Sequence, residues 1–291
     1  MFWYVLTVGV TVGAIYTLVT IGYSMVYGVL KLMNFAHGDV YIFGVLLSYT
    51  LLTSYHISPI WAILAGTLMG GALASLVEVV AYRKLRSAQH RMISMITALG
   101  AAFVIQNISE LHWGDQVLPY PSVFPARQFD FLNGAISLTN VITLLIAIAV
   151  VVAFNLFLKY HRMGKAILCV SEDIATASLM GIPINRTISI VYFLGGVLGV
   201  IGGVLYSTSY NVISLMMGFH GTIIAFTAAV VGGIGSIEGA MLGGMIIGLS
   251  ENFVGVYISS AFRDPIMFLL LILILLVKPT GIMGKAEEKK V

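Results

Sequence analysis

The amino-acid sequence predicts an all-α, polytopic membrane protein with eight or nine transmembrane segments, some of them broken or re-entrant. Three observations carry the prediction. Only 9% of the 291 residues are charged and 59% are hydrophobic, against about 25% charged in soluble domains; mean hydropathy is +1.01. Apolar stretches recur along the whole chain at close to the roughly 20 residues that a spanning helix needs. Lysine and arginine gather in alternate connections, the pattern that orients membrane proteins.

The apolar stretches lie at about 5–29, 38–54, 60–80, 93–109, 137–158, 188–208, 221–233, 239–257 and 265–278. The fifth would extend about 33 Å as a helix, enough for a hydrocarbon core of roughly 30 Å. The stretch 221–233 is too short for a simple crossing, and it runs into "VVGGIGSIEGAMLGG", where seven glycines fall between Gly232 and Gly248. Glycine weakens a helix and also lets neighbouring helices approach closely in lipid, so either a break or a tight packing surface fits. The start, "MFWYVLTVGV", has neither a basic n-region nor a cleavage site, so it reads as a retained helix. Its Phe2, Trp3 and Tyr4 suit an interfacial anchor.

Basic residues cluster in "YRKLRSAQHR" (82–91), in the loop 159–186, and in Lys278 with the tail "GKAEEKK". The long connection 110–136 holds Arg127 alone. The positive-inside rule therefore puts the first three in the cytoplasm, with the C-terminus, and the last outside. A nine-span count places the N-terminus outside. A net charge of +3 is too small to argue for a nucleic-acid partner; the partner that composition implies is lipid.

Motifs for chemistry are missing. No phosphate loop occurs, since Gly164-Lys165 and Gly284-Lys285 are each followed by Ala and lack the upstream glycine. The six histidines are scattered, with no H-E-x-x-H, and there is no G-x-S-x-G. The single cysteine, Cys169, excludes an internal disulfide. The chain reads as a non-enzyme that binds no cofactor or metal.

Three polar places interrupt the apolar pattern. "KLMNFAHGDVYIFG" (31–44) sets Asn34, His37 and Asp39 between two apolar stretches. It reads as a short turn beside Lys31, or as a broken helix beside a solute route, where irregular backbone is tolerated because it lines a cavity. An ionised group at the bilayer centre costs roughly 2.5–3.5 kcal/mol, so Asp39 needs a partner or a place near an end. "MGFHG" (217–221) echoes "MNFAHG" (33–38) about 184 residues on, as a two-half architecture would produce. Its His220 is either a pathway residue or a solvated helix end. Glu251 and Asn252, in "GLSENF", are candidates for the pathway or for hydrogen bonds between subunits. Glu78 is placed to pair with Arg83 or to snorkel.

The segment "RMGKAILCVSEDIATASLMGIPINR" (162–186) predicts a short helix over about 172–180. Ser171 is the expected N-cap, Glu172 and Asp173 put negative charge in the first turn, Gly181 closes the helix and Pro183 stops it. Ala175, Ala177 and Ser178 leave part of its surface nearly bare. Such a helix either rests on the bilayer or inserts into a cleft of a cytoplasmic protein; membrane-surface helices usually carry basic residues and large apolar anchors, and this one starts acidic.

"GYSMVYGVLKLMNFAHGDVYIFG", "RMGKAILCVSEDIATASLMGI" and "AFTAAVVGGIGSIEGAMLGGMIIGLSE" resemble the signature regions of the LivH-type permease subunit of branched-chain amino acid ABC transporters. The resemblance runs in order from about residue 7 to "KPTGIMG" (278–284). It implies a single permease domain over 1–284, with a cytoplasmic coupling loop at 159–187 and a tail at 285–291. In that family the capped helix docks in a groove of the ATPase, and Glu172, Asp173, Ala177 and Gly181 are the matching positions. The importer motif E-A-A-x-x-x-G is kept only loosely, with Glu172 nine residues before Gly181 rather than six. The resemblance further implies a second, LivM-type permease, two cytoplasmic ATPase subunits that use ATP and Mg, an external substrate-binding protein, and residence in the bacterial inner membrane. The implied solutes are leucine, isoleucine and valine, with urea or short amides moved by relatives. A self-sufficient channel or secondary transporter is the rival, but it would leave the capped helix without a task.

Overall fold

The computed structural model describes residues 1–85, 91–125, 127–131 and 134–284. The tail 285–291 and Arg86 of the basic loop lie outside the described residues. Eleven helices and one hairpin follow in order among those described. They are α1 (Phe2–Leu30), α2 (His37–Thr53), α3 (Pro59–Val77), α4 (Arg91–Trp113), the strands β1 (Gln128–Phe131) and β2 (Gly134–Ser137), α5 (Leu138–Tyr160), α6 (Arg162–Glu172), α7 (Ile174–Leu179), α8 (Ile184–Tyr210), α9 (Met216–Gly232), α10 (Ile237–Tyr257) and α11 (Arg263–Val277). A π-helical turn, Glu78–Tyr82, and a 3-10 turn, Arg83–Leu85, prolong α3. Seven of the helices are long and apolar enough to cross a membrane. The helices α2 and α9, 17 residues each, fall just short of that length. The fold is the all-α polytopic bundle that the composition implies.

The interior is laid out twice. Helix α1 ends in a left-handed residue, Lys31 (φ 54°, ψ 29°), and a short α2 follows; α8 ends in Asn211 (φ 54°, ψ 36°), and a short α9 follows. The two long helices lie antiparallel at the centre, with Gly202 over Val19 and Gly195 over Val26. Helices α2 and α9 also cross antiparallel, Gly38 meeting Thr222 and Ile42 meeting Gly218. Helix α3 packs on α8 much as α10 packs on α1. Matching lengths, caps and partners make α1–α3 and α8–α10 an inverted repeat. The echo between "MNFAHG" and "MGFHG" marks its seam: the Gly38 amide donates to Thr222 Oγ1 at 2.9 Å.

Lys31, Arg83 and Lys278 collect at one end of this bundle, and Arg127 and Arg263 lie at the other. Arg83 hydrogen-bonds to Ser189, near the start of α8, at 2.7 Å. Lys31 lies against Gly235 in the α9–α10 turn. The segment after α11 is sewn to the end of α9 by Ile282 N–H to Val231 O (3.0 Å) and Met283 N–H to Gly232 O (2.8 Å). At the opposite end, Leu118 and Ile213 exchange two backbone hydrogen bonds of 2.8 Å. The Tyr120 hydroxyl there sits 3.1 Å from Ser48 Oγ. Tyr120 lies outside the spanning helices, and burial pushes its hydroxyl above the usual 10.0, so it stays a neutral hydrogen-bonding group.

Candidate coupling and translocation sites

The polar break after α1 is a reversal into the bundle. The His37 ring lies 5.9 Å from the Tyr23 ring, seven residues before the end of α1, so residues 31–36 double back by about 10 Å at 1.5 Å per residue. Helix α2 therefore begins inside the apolar layer, where non-helical backbone is tolerated only when protein buries it. Asn34, His37 and Asp39 are 5%, 2% and 5% exposed. Tyr82 donates to Asn34 Oδ1 at 3.1 Å, tying the break to the basic end of α3. His37 lies edge-on to Tyr23 and Tyr41 and against Gly199, and its Nε2 has no partner among the described residues. Asp39 falls in the first turn of α2, where the helix dipole favours a carboxylate.

A cleft opens beside this break, between α1, α2, α8 and α9. Ile15, Val19 and Ile224 form aliphatic walls, Gly202, Gly203 and Gly221 a floor, and Tyr16, Tyr41, Tyr206 and His220 its polar lining. The Tyr41 hydroxyl donates to Met217 O at 2.6 Å and joins the starts of the two short helices. Of the six polar candidates only His220 lines the cleft. Glu251 stands behind it and accepts the Tyr16 hydroxyl at 2.8 Å. Asn252 is elsewhere: it is buried and donates to Val5 O at 2.6 Å, fastening α10 to α1. Sequence reasoning did not single out Tyr16, Tyr41 or Tyr206, because an aromatic in an apolar run looks like core until its neighbours are known.

The cytoplasmic-loop candidates divide between two helices. Glu172 is the last residue of α6, a helix that the sequence did not reveal, and Ser171 donates to Leu168 O within that helix. The expected Ser171 cap is therefore corrected. Asp173 is the N-cap of α7 and accepts the Thr176 amide at 2.7 Å, which leaves Glu172 outside the first turn. At the other end Gly181 takes φ 78°. Its amide donates to Ser178 O at 3.0 Å and that of Ile182 to Ala177 O at 3.2 Å, the paired bonds of a Schellman motif. Ala177 is 3% exposed and faces the bundle, whereas Leu179 and Met180 are 88% and 79% exposed. Ala175 is exposed on the same short helix. Helix α6 buries Gly164, Ile167 and Val170 and packs on α5, α1 and α8.

Just before α8, the connection from α7 passes through Pro183, and α8 is held at once. Arg83 forms a bidentate pair with Glu78, Nη2 to Oε2 at 2.9 Å and Nε to Oε1 at 3.3 Å. Ser189 Oγ donates to the same carboxylate at 2.6 Å. Glu78 is fully buried, and its pairing with Arg83 resolves the alternative left by the sequence.

An inverted-repeat bundle of long apolar helices is the build of a membrane transporter. The family model for the permease component of the branched-chain amino acid transport system matches residues 5–277. This chain belongs to that family. It is 38% identical to the high-affinity branched-chain amino acid transport system permease protein LivH of Escherichia coli, over 97% of this chain and 96% of that protein. It is 37% identical to the corresponding protein BraD of Pseudomonas aeruginosa, with the same coverage. Among solved structures, PsaBC from Streptococcus pneumoniae in complex with Fab superposes with a TM-score of 0.54 at 13% identity, covering 95% of this chain and 93% of that one; this likeness concerns the fold.

Proposed function

We propose that the chain forms the membrane conduit of an ATP-driven importer of branched-chain amino acids and leaves hydrolysis to separate subunits. The observation that carries this reading is α7. It is seated on the bundle by Ala177, stopped at both ends by Asp173 and Gly181, and tipped by two large apolar side chains that nothing among the described residues covers. Leu179 and Met180 fit a groove in a cytoplasmic ATPase. The partners are two such ATPases, which bind ATP and Mg, a second LivM-type permease, and an external binding protein that sets much of the specificity. This chain binds no cofactor. The basic end of the bundle faces the cytoplasm of the bacterial inner membrane, and the C-terminus is assigned to the same side by the positive-inside rule.

Closure of the ATPases on ATP displaces α7, and Pro183 passes the displacement into α8. That helix is 27 residues long and packs on α1, α2 and α3. The Glu78–Arg83–Ser189 network makes α3 follow α8. ATP bound elsewhere thus biases a two-state bundle. The test is uptake of labelled leucine into vesicles holding the two permeases, with and without the ATPases. Uptake that needs the ATPases and ATP supports the assignment; equal uptake without them rejects it.

A further inference from the structure

The offset that carries Lys31 onto Asn211, the two left-handed caps, also carries Gly38 onto Gly218 and Ile42 onto Thr222. It exchanges the contact of Gly22 with Gly195 for that of Gly202 with Ile15. The two halves of the interior are therefore images of one another, and the cleft has an image too. The cleft lies toward the end away from Lys31 and Arg83, with Gly203, Tyr206 and Met217 in its lining. The offset takes these three onto Tyr23, Val26 and His37, toward the basic end. There side chains fill the corresponding place. Where the cleft has Gly203 as floor, the image has Tyr23, edge-on to His37 at 5.9 Å between ring centres, and Tyr23, Val26 and His37 are all buried. Helices α1 and α8 also come closer there. A Cβ on Gly22 would lie 2.6 Å from the Gly195 carbonyl oxygen, whereas one on Gly202 would lie 3.3 Å from that of Ile15.

We propose that Tyr23, Val26 and His37 close a second, inward cleft, the image of the open one, which the transport stroke opens as the outer cleft shuts. Three features suit the exchange. The Gly38–Gly218 contact is its own image, so it sits on the axis relating the halves, where rocking of one half against the other leaves it in place. His37 Nε2 is buried without a hydrogen-bond partner among the described residues, a cost of the closed form that water in an open inner cleft would relieve. Helix α7 leads through Pro183 into α8 at this same end, so a pull on α7 acts first where α8 lies on Gly22. The proposal rests on the importer reading and adds to it the place of the inner opening and the residues that shut it.

The experiment is hydroxyl-radical footprinting of the complete wild-type transporter in vesicles, which oxidises side chains that water reaches and is read by mass spectrometry. It is run without nucleotide and with ATP plus vanadate, beside leucine uptake by the same vesicles. In one state Met217 and Tyr206 should be oxidised and Tyr23 and His37 protected; in the other the pattern should reverse, severalfold at each residue. Gly195→Val puts bulk against the Gly22 carbonyl and Val26 in the closed form, and should raise Tyr23 oxidation in both states. Tyr23 and His37 protected in both states of the wild type, or oxidised equally in both, overturn the inward cleft, while ATP-driven uptake leaves the importer reading standing. A Gly195→Val transporter whose Tyr23 stays protected throughout overturns it as well. Uptake that ignores ATP overturns both readings. If Gly195→Val does not assemble, the wild-type footprint decides alone.

Discussion

Replacing Leu179 and Met180 together by serine separates docking from folding. Both side chains are mostly in water, at 88% and 79% exposed, and substitutions at such positions usually change stability by no more than about 0.5 kcal/mol. Burying a side chain of this size in a partner is worth about 1.5–3 kcal/mol. Losing two therefore weakens the permease–ATPase contact by at least about 3 kcal/mol, roughly a hundredfold in Kd. The neighbouring Ala177 gives the contrast. It is 3% exposed and seats α7 on the bundle, so Ala177→Leu overpacks a filled space at about 1–3 kcal/mol and should lower the unfolding temperature as well as uptake. The assay is titration of the ATPases onto detergent-solubilised permease, read beside thermal unfolding and leucine uptake in vesicles. A Leu179→Ser, Met180→Ser double variant that binds the ATPases and transports like the parent would refute the assignment of α7 as the docking element.

Glu78→Ala should cost about 3 kcal/mol in thermal unfolding, the lower range for breaking a buried ion pair, because Arg83 retains water at 36% exposure; an unchanged melting temperature would show the network to be idle. Gly38→Ala puts a Cβ on the Gly218 carbonyl and should destabilise by about 3 kcal/mol, an overpacking cost. Gly100→Ala, with nothing within 4 Å, should be neutral or stabilise by up to about 1 kcal/mol; the two are compared by yield and melting temperature. Gly181→Ala keeps open space around its Cβ but must hold φ 78°, at about 1–2 kcal/mol. Gly181→Asn should recover much of the loss in ATP-coupled uptake, since Asn also closes helices in this conformation.

Much of this plan was legible in the order of residue types, because in lipid the length and spacing of apolar runs are physical requirements. The two short helices were visible as a polar interruption at 34–39 and a glycine-rich ending near 232, and the two-half plan as the faint echo around His37 and His220. The backbone at Gly181 was legible because few residues other than glycine take a positive φ. Other features depend on direction in space, which composition does not encode. Ser171 and Asp173 are both good caps, and only the burial of Ile167 and Val170 against α5, α1 and α8 prolongs the preceding helix and hands the cap to Asp173. Alanine carries no clue to which side of a helix faces in, so Ala177 could not be told from Ala175. Asn252 and Glu251 are neighbours in sequence, yet they point to the Val5 carbonyl and the Tyr16 hydroxyl, an outcome set by the α1–α10 crossing.

The reciprocal contact of Gly38 and Gly218 has a mechanical consequence. Main chain lies against main chain there, with only the Thr222 hydroxyl and an Ile42 methyl beside it. A joint of that kind cannot absorb load by local yielding, so motion imposed at one half of the chain must appear as displacement of whole helices about a shared bearing. The importer's stroke would then be small, stiff and two-valued, and the residues most able to jam it are the ones with no side chain at all.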